Sequence, residues 1–154
     1  TIFDYWRVPE HQKWLNEGRF DGGKLDSSQK ALREKYREIM HLSKREVIAN
    51  GAFYDLMHAN QGNPGFDCER VYAFIRYTNN ERYLFVANFS YEDLEIKVRI
   101  PEHALELMNQ ENENNIEVDY HEGERKSFPA EWVKNDGIPV KVFRNNYKIL
   151  ELVS

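Results

Sequence analysis

Apolar residues recur along this chain with two different periods. From Glu46 to the end the dominant period is two. Leu94, Ile96, Val98 and Ile100 alternate with Glu95, Lys97 and Arg99, which describes a strand with one dry face and one wet face. Pro101 ends that strand. Ile116, Val118 and Tyr120 alternate with Glu117 and Asp119 in the same way. Val71–Tyr77 and Tyr83–Phe89 are apolar on both faces, as central strands covered twice would be, and Asn79-Asn80 between them reads as a tight hairpin turn. On this reading Tyr72, Phe74, Tyr83, Phe85 and Phe89 all belong to the core. Val140–Phe143 and Tyr147–Val153 predict a last hairpin across Asn145-Asn146. Glu46–Ala49 and Phe53–Met57 read as short extended pieces separated by Gly51. The loop Ala59–Glu69 carries the turn sequence Gly62-Asn63-Pro64-Gly65. Met108–Asn115, rich in Asn and Glu, reads as a loop with nothing to bury. Seven or eight short strands separated by polar turns predict a mainly-β chain, folded as an antiparallel, Greek-key-like β-sandwich.

One stretch before the strands has a period of 3.6. Leu32, Tyr36, Ile39 and Met40 fall at i, i+4, i+7 and i+8 and form a single apolar stripe. Asp26 is placed to cap this helix, and Gln29, three residues on, to bond back to the cap's own N–H. Lys44 and Arg45, just past the last turn, suit the negative end of the helix dipole. The first 26 residues show neither period. They are dense in aromatics, among them Phe3, Tyr5, Trp6 and Trp14, and are interrupted by Pro9, Gly18, Gly22 and Gly23. An apolar segment without its own periodicity packs against something larger. The expected organisation is therefore an irregular aromatic lead-in with one α-helix over residues 1–44, followed by a β-domain over residues 45–154.

Composition narrows the function classes. At 154 residues the chain has the length of one domain with a short appendage. Lys and Arg number 21 and Asp and Glu 26, so 21 − 26 gives a net charge of −5, against duplex nucleic acid as a partner. No run approaches the ~18 apolar residues of a membrane span, and no charged start followed by an apolar stretch marks a signal peptide. Aromatic residues reach 14%, with nine Tyr, nine Phe and three Trp. Three physical causes would produce such an excess: a β-rich core, a partner surface, or a platform for sugar rings.

Candidate chemistry is sparse. None of His11, His41, His58, His103 and His121 forms an H-x-x-x-H or H-x-E pair, and none stands at a zinc-ligand spacing from the single cysteine, Cys68. Asp67 and Glu69 flank Cys68, an arrangement that disfavours a thiolate. Nucleophile-elbow, phosphate-loop and dinucleotide fingerprints are absent. Asp4 and Asp21 are the only carboxylates set among aromatics and glycines, but a glycosidase pair is defined by a fold-dependent separation, so no catalytic residue, metal ligand or cofactor is assigned. Asn88-Phe89-Ser90 matches the glycosylation acceptor pattern, yet reads better as a strand-end Asn whose amide ties down the following turn. Trp132, after Pro129-Ala130-Glu131, reads as a loop residue and is the weak candidate for carbohydrate contact.

These features together resemble the C-terminal region of an α-amylase-family (family 13) glycoside hydrolase. Phe3-Asp4-Tyr5-Trp6 resembles the segment after the last barrel strand. Leu25 to Leu42, with Leu32-Arg33 and Tyr36, resembles the last barrel helix. Gly51-Ala52-Phe53 resembles the start of the following domain, and Tyr72-Ala73-Phe74-Ile75-Arg76 with Leu84-Phe85-Val86-Ala87-Asn88-Phe89-Ser90 resembles its central hairpin. The resemblance runs from Thr1 to about Ile100 and fades over Glu102–Trp132. It implies a non-catalytic accessory domain that stabilises a (β/α)8 barrel, the barrel carrying the three catalytic carboxylates upstream. Phe3, Tyr5, Trp6, Trp14, Leu32, Tyr36, Ile39 and Met40 would then be barrel-interface residues. Without a barrel they are expected to pack on the β-domain or on a second copy of the chain. The sequence leaves two other readings open: a carbohydrate-binding module that holds α-glucan through Trp132, and a protein-interaction or adhesion sandwich.

Overall fold

The structure, a computed structural model, describes residues 8–120 and 123–153. The chain divides between Arg45 and Glu46 into two compact units. In the first, helix α1 (Pro9–Leu15) begins at a proline, whose fixed φ suits the first helical turn. The lead-in was expected to be irregular here, but seven residues are too few for a 3.6-residue period to register in sequence. The helix ends where Asn16 and Glu17 take positive φ values of 45° and 58°. Asn16 Nδ2 donates to Asp21 Oδ1 at 2.7 Å, and the Gly23 N–H donates to the same oxygen at 2.8 Å. These bonds, that of Asn16 first, hold the Asp21 carboxyl below its ordinary pKa.

Helix α2 (Ser27–Leu42) carries the expected reciprocal cap. Asp26 Oδ1 accepts from the Gln29 N–H at 2.9 Å, and Gln29 Oε1 accepts from the Asp26 N–H at 3.1 Å. None of its residues is buried.

The second unit holds eight strands: β1 (Ala52–Asp55), β2 (Val71–Tyr77), β3 (Arg82–Asn88), β4 (Leu94–Val98), β5 (Asn115–Asp119), β6 (Arg125–Pro129), β7 (Ile138–Val142) and β8 (Asn146–Val153). Six form one sheet in the order β1-β2-β3-β8-β5-β6, and β4 and β7 form a second. Every pairing is antiparallel. Because β8 inserts between β3 and β5, the chain connects the strands in a Greek-key-like manner rather than as a meander. The core lies between the sheets. Ala73, Ile75, Leu84, Val86, Leu150 and Leu152 from the large sheet meet Ile96, Val98, Val140 and Val142 from the small one. Complete burial of one such aliphatic side chain contributes about 1.5–3 kcal/mol.

Several local expectations are corrected. Glu46–Ala49 is a helical turn, α3, not a strand: Val47 is fully buried, and the N–H groups of Asn50 and Gly51 both donate to the Glu46 carbonyl. The strand at Phe53 stops at Asp55, and Met57–Asn60 forms another turn, α4, started by the Asp55 carboxylate accepting from the Met57 N–H at 2.9 Å. Glu102–Leu107 (α5) and Ala130–Asn135 (α6) are also helical, so Trp132 stands on a helix and not in a loop.

The segment after α5 does bury side chains. Met108 and Gln110 are both 1% exposed, and the Arg82 Nε donates to the Met108 carbonyl at 2.8 Å. The strands β7 and β8 do not form a hairpin, because β7 pairs with β4 while β8 crosses to the other sheet. Nor are the central strands covered on both faces. Tyr83 is buried, whereas Phe74 and Phe85 are half-buried, Tyr72 is 37% exposed and Phe89 68% exposed.

Candidate functional site

Among the described residues, regular elements build two open apolar surfaces. On α2, spacings of four residues place Leu32, Tyr36 and Met40 on one side, and these are 58%, 63% and 60% exposed, with Ile39 half-buried beside them. On the outer face of the six-stranded sheet, alternation and register bring four rings together. Phe74 of β2 lies opposite Phe85 of β3, and Phe53 of β1 lies opposite Arg76, one step along the same face. Phe74 and Phe85 stack at 4.7 Å between centroids with 1° between their planes. Phe53 and Tyr72 flank Phe74 at 5.3 and 5.7 Å.

Phe74 and Phe85 thus cover one face of each other, while Phe53 and Tyr72 lie against Phe74 with 33° and 41° between the planes. Burying Phe53, Tyr72, Phe74 and Phe85 against a partner would gain apolar area without rearranging the sheet. Sequence reading placed Tyr72, Phe74 and Phe85 in the core, because a strand apolar on both faces looks the same whether its second face meets its own domain or a partner.

The individual candidates lie apart. Phe3, Tyr5 and Trp6, with Asp4, fall outside the described residues. Trp14 is half-buried in the first unit, 6.1 Å from His11 and 5.7 Å from Phe20, with the Arg33 guanidinium 5.9 Å from its ring centroid. Trp132 is half-buried in the second unit. Phe128 stacks on it at 5.2 Å, and the Lys97 ammonium stands 5.2 Å from its centroid. Cys68 is exposed. Among the described residues no three His, Cys, Asp or Glu side chains are grouped to hold a metal ion, and no helix is long and apolar enough to cross a membrane.

Asn88 behaves as its position in the strand predicted. Its amide donates to the carbonyls of Glu92, Val142 and Phe143 at 2.8, 3.2 and 3.3 Å, while its oxygen accepts from the Ser90 N–H and hydroxyl. The result is a rigid junction of two loops, 89–93 after β3 and 143–145 after β7. Two more bonds cross it: the Arg144 N–H donates to Asp93 Oδ1 at 3.0 Å, and the Asn145 N–H to the Ser90 carbonyl at 3.0 Å.

No protein-family model and no curated protein sequence matches the chain. Solved structures do. AmyP in complex with maltose superposes on 82% of the chain with a TM-score of 0.56 and 12% identity, and a variant of AmyP with maltotriose on 83% with 0.54 and 14%. The α-amylase GTA of Geobacillus thermoleovorans, complexed with acarbose, superposes on 87% with a TM-score of 0.55 and 12% identity. The matched region is 21%, 22% and 26% of those chains, so this chain spans about a fifth to a quarter of their length. Its fold is one that α-amylase-family enzymes carry as a minor part.

Proposed function

We propose that the chain is the C-terminal accessory part of an α-glucan-acting glycoside hydrolase or transglycosylase, and that it acts by docking on and stabilising the catalytic (β/α)8 barrel rather than by catalysis. The observation that carries this reading is the aromatic group Phe53, Tyr72, Phe74 and Phe85 on the outer face of a complete sandwich. The eight strands already possess a closed core between the sheets, so this second apolar face serves something beyond the domain's own folding. A group of rings packed on one another, one pair stacked and two tilted, suits a packed protein interface better than a sugar platform, which needs ring faces turned to solvent. The stripe of Leu32, Tyr36 and Met40 on α2 supports the same reading from the first unit, where Trp14 also belongs to the barrel side. The fold shared with α-amylases supports a barrel as that partner.

The coding sequence upstream of the Thr1 codon tests this. A barrel with three catalytic carboxylates is expected there, and a stop codon or an unrelated domain would overturn the reading. Trp132 as an α-glucan contact is disfavoured by its surroundings, because Phe128 stacks on its ring and the Lys97 ammonium stands over it.

A further inference from the structure

The aromatic outer face of the six-stranded sheet has a gap in it. Ala87 of β3 lies opposite Tyr72 of β2 on one side and Tyr147 of β8 on the other. Phe85 and Phe89 stand two residues away along the chain, and both relationships place side chains on one face. The Phe89 N–H donates to the Arg70 carbonyl at 2.8 Å, one step beyond the β2–β3 ladder, so Phe89 carries the face past the end of the strand. A methyl group is thus set among four aromatic residues. A recess of about 240 Å³ opens there, with Ala87, Phe89 and Tyr147 in its lining.

No charged residue lines this recess. Asn88, which does, is buried and spends its amide and its oxygen inside the loop junction. A charged group entering would lose water and meet no counter-ion, whereas an apolar side chain would cover Phe89, which is 68% exposed. The volume falls below the roughly 300–1,000 Å³ of small-molecule pockets and suits a single side chain.

Charge on this face is uneven. Glu151 lies opposite both Tyr83 and Asp119, and Glu117 is two residues from Asp119, so three carboxylates share the outer side beyond the rings. Arg125, opposite Asp119 and 3.1 Å from it, is the cation among them. With neighbouring strands about 5 Å apart, this acidic strip lies within about one helix diameter of the rings. Elsewhere the charges are engaged within the chain. Arg70, at the Phe89 end, pairs with Asp67 and Glu92 at 3.3 and 3.1 Å. Asp55 accepts from the Met57 N–H, and Arg76 donates to the Ile48 carbonyl.

We propose that the Ala87 recess is the socket that anchors this face, receiving one bulky apolar side chain from a helix of the barrel's outer ring, with Lys or Arg of that helix over the Glu117–Glu151 strip. One projecting side chain in a matched pocket is how packed interfaces concentrate their binding energy. That the helix belongs to a barrel rests on the proposed function above. Helices form the outer ring of a (β/α)8 barrel, and the matched α-amylases carry most of their length outside the shared fold.

Maleimide labelling of a reporter thiol tests the socket. Phe53→Cys, combined with Cys68→Ser, puts the reporter on the same face. Its labelling rate is compared in the 154-residue chain and in the protein expressed with the coding sequence upstream of Thr1. Labelling is expected to be about ten-fold slower in the longer protein, where the face is covered. Adding Ala87→Trp fills the socket and is expected to restore the rate of the chain alone. Phe89→Ala removes an exposed wall and is expected to restore part of it; near-ultraviolet circular dichroism checks the fold of both variants. Equal rates in the two proteins overturn the docking face, and the accessory reading with it. Slow labelling that survives Ala87→Trp, or survives Phe89→Ala where Ala87→Trp does not fold, overturns the socket and leaves the docking face standing.

Discussion

Asn60 and Arg99 exchange two hydrogen bonds, with the Asn60 amide donating to the Arg99 carbonyl at 3.0 Å and the Arg99 N–H donating to Asn60 Oδ1 at 2.8 Å. A side chain here reproduces the pairing that a neighbouring strand would give, at the point where the chain leaves β4. Asn60 is completely buried, and Asn63 extends the pattern by donating to the Lys97 carbonyl at 2.8 Å.

Asn60→Leu therefore removes the partners of both backbone polar groups of Arg99 at once. A loss of about 2–3 kcal/mol is expected, since buried polar groups left unpaired incur their full desolvation cost. Chemical denaturation of the purified chain measures it, and a loss below half a kcal/mol would show that water replaces the pair.

Asn88→Asp tests the loop junction. The carboxylate cannot donate to the carbonyls of Glu92, Val142 and Phe143, so three acceptors face a negative charge. Destabilisation by about 2–4 kcal/mol is expected. Limited proteolysis should then cut first within 89–93 or 143–145, and unchanged cleavage kinetics would count against the junction's role.

Gly137 has a φ of 95°, and a Cβ there would stand 2.7 Å from the Val98 carbonyl carbon and 2.8 Å from the Arg99 nitrogen. Both contacts are with backbone, which cannot rotate away. Gly137→Ala is expected to cost about 3 kcal/mol through overpacking and positive-φ strain. A thermal midpoint unchanged from the parent would contradict this.

Tyr120 donates to the Pro139 carbonyl at 2.8 Å, and burial, with Glu124 adding to it, raises its pKa well above the ordinary value for a phenol. The neutral form is thus favoured in the folded state. Its contribution to stability is complete below the unfolded phenol pKa of about 10 and is lost as pH rises beyond it toward the raised folded value. Tyr120→Phe should lower stability at pH 8 by about 1 kcal/mol and flatten its decline above pH 10. Urea unfolding at pH 8 and pH 11 reads both effects, and a decline as steep in the variant would assign it to other groups.

The exposed stripe of α2 predicts self-association when the chain is alone in solution. Sedimentation velocity should show a species heavier than 18.4 kDa that grows with concentration. Leu32→Glu with Met40→Glu should restore the monomer. A monomer at every concentration for the unaltered chain would remove self-association from the picture.

The periods of hydrophobic residues determined the class of fold, the α2 helix with its Asp26–Gln29 cap, and the strands β2, β3, β4 and β5, because those features depend on neighbours a few residues apart. Alternation told which residues of β4 face inward, and the strand-end role of Asn88 followed from its place before a turn. Tertiary structure alone decided the rest. Glu46–Ala49 reads as a strand from its β-branched pair, but burial of Val47 and the acceptance of an Arg76 hydrogen bond by the Ile48 carbonyl hold it as a helical turn.

Adjacency made β7 and β8 look like a hairpin. What separates them is that β7 finds β4, where Glu95 stands opposite Lys141 and pairs with it at 3.5 Å, while β8 completes the large sheet. The second apolar face of β2 and β3 was visible in the sequence, but not what it faces. Burial depends on what lies across a surface, and no local pattern encodes that.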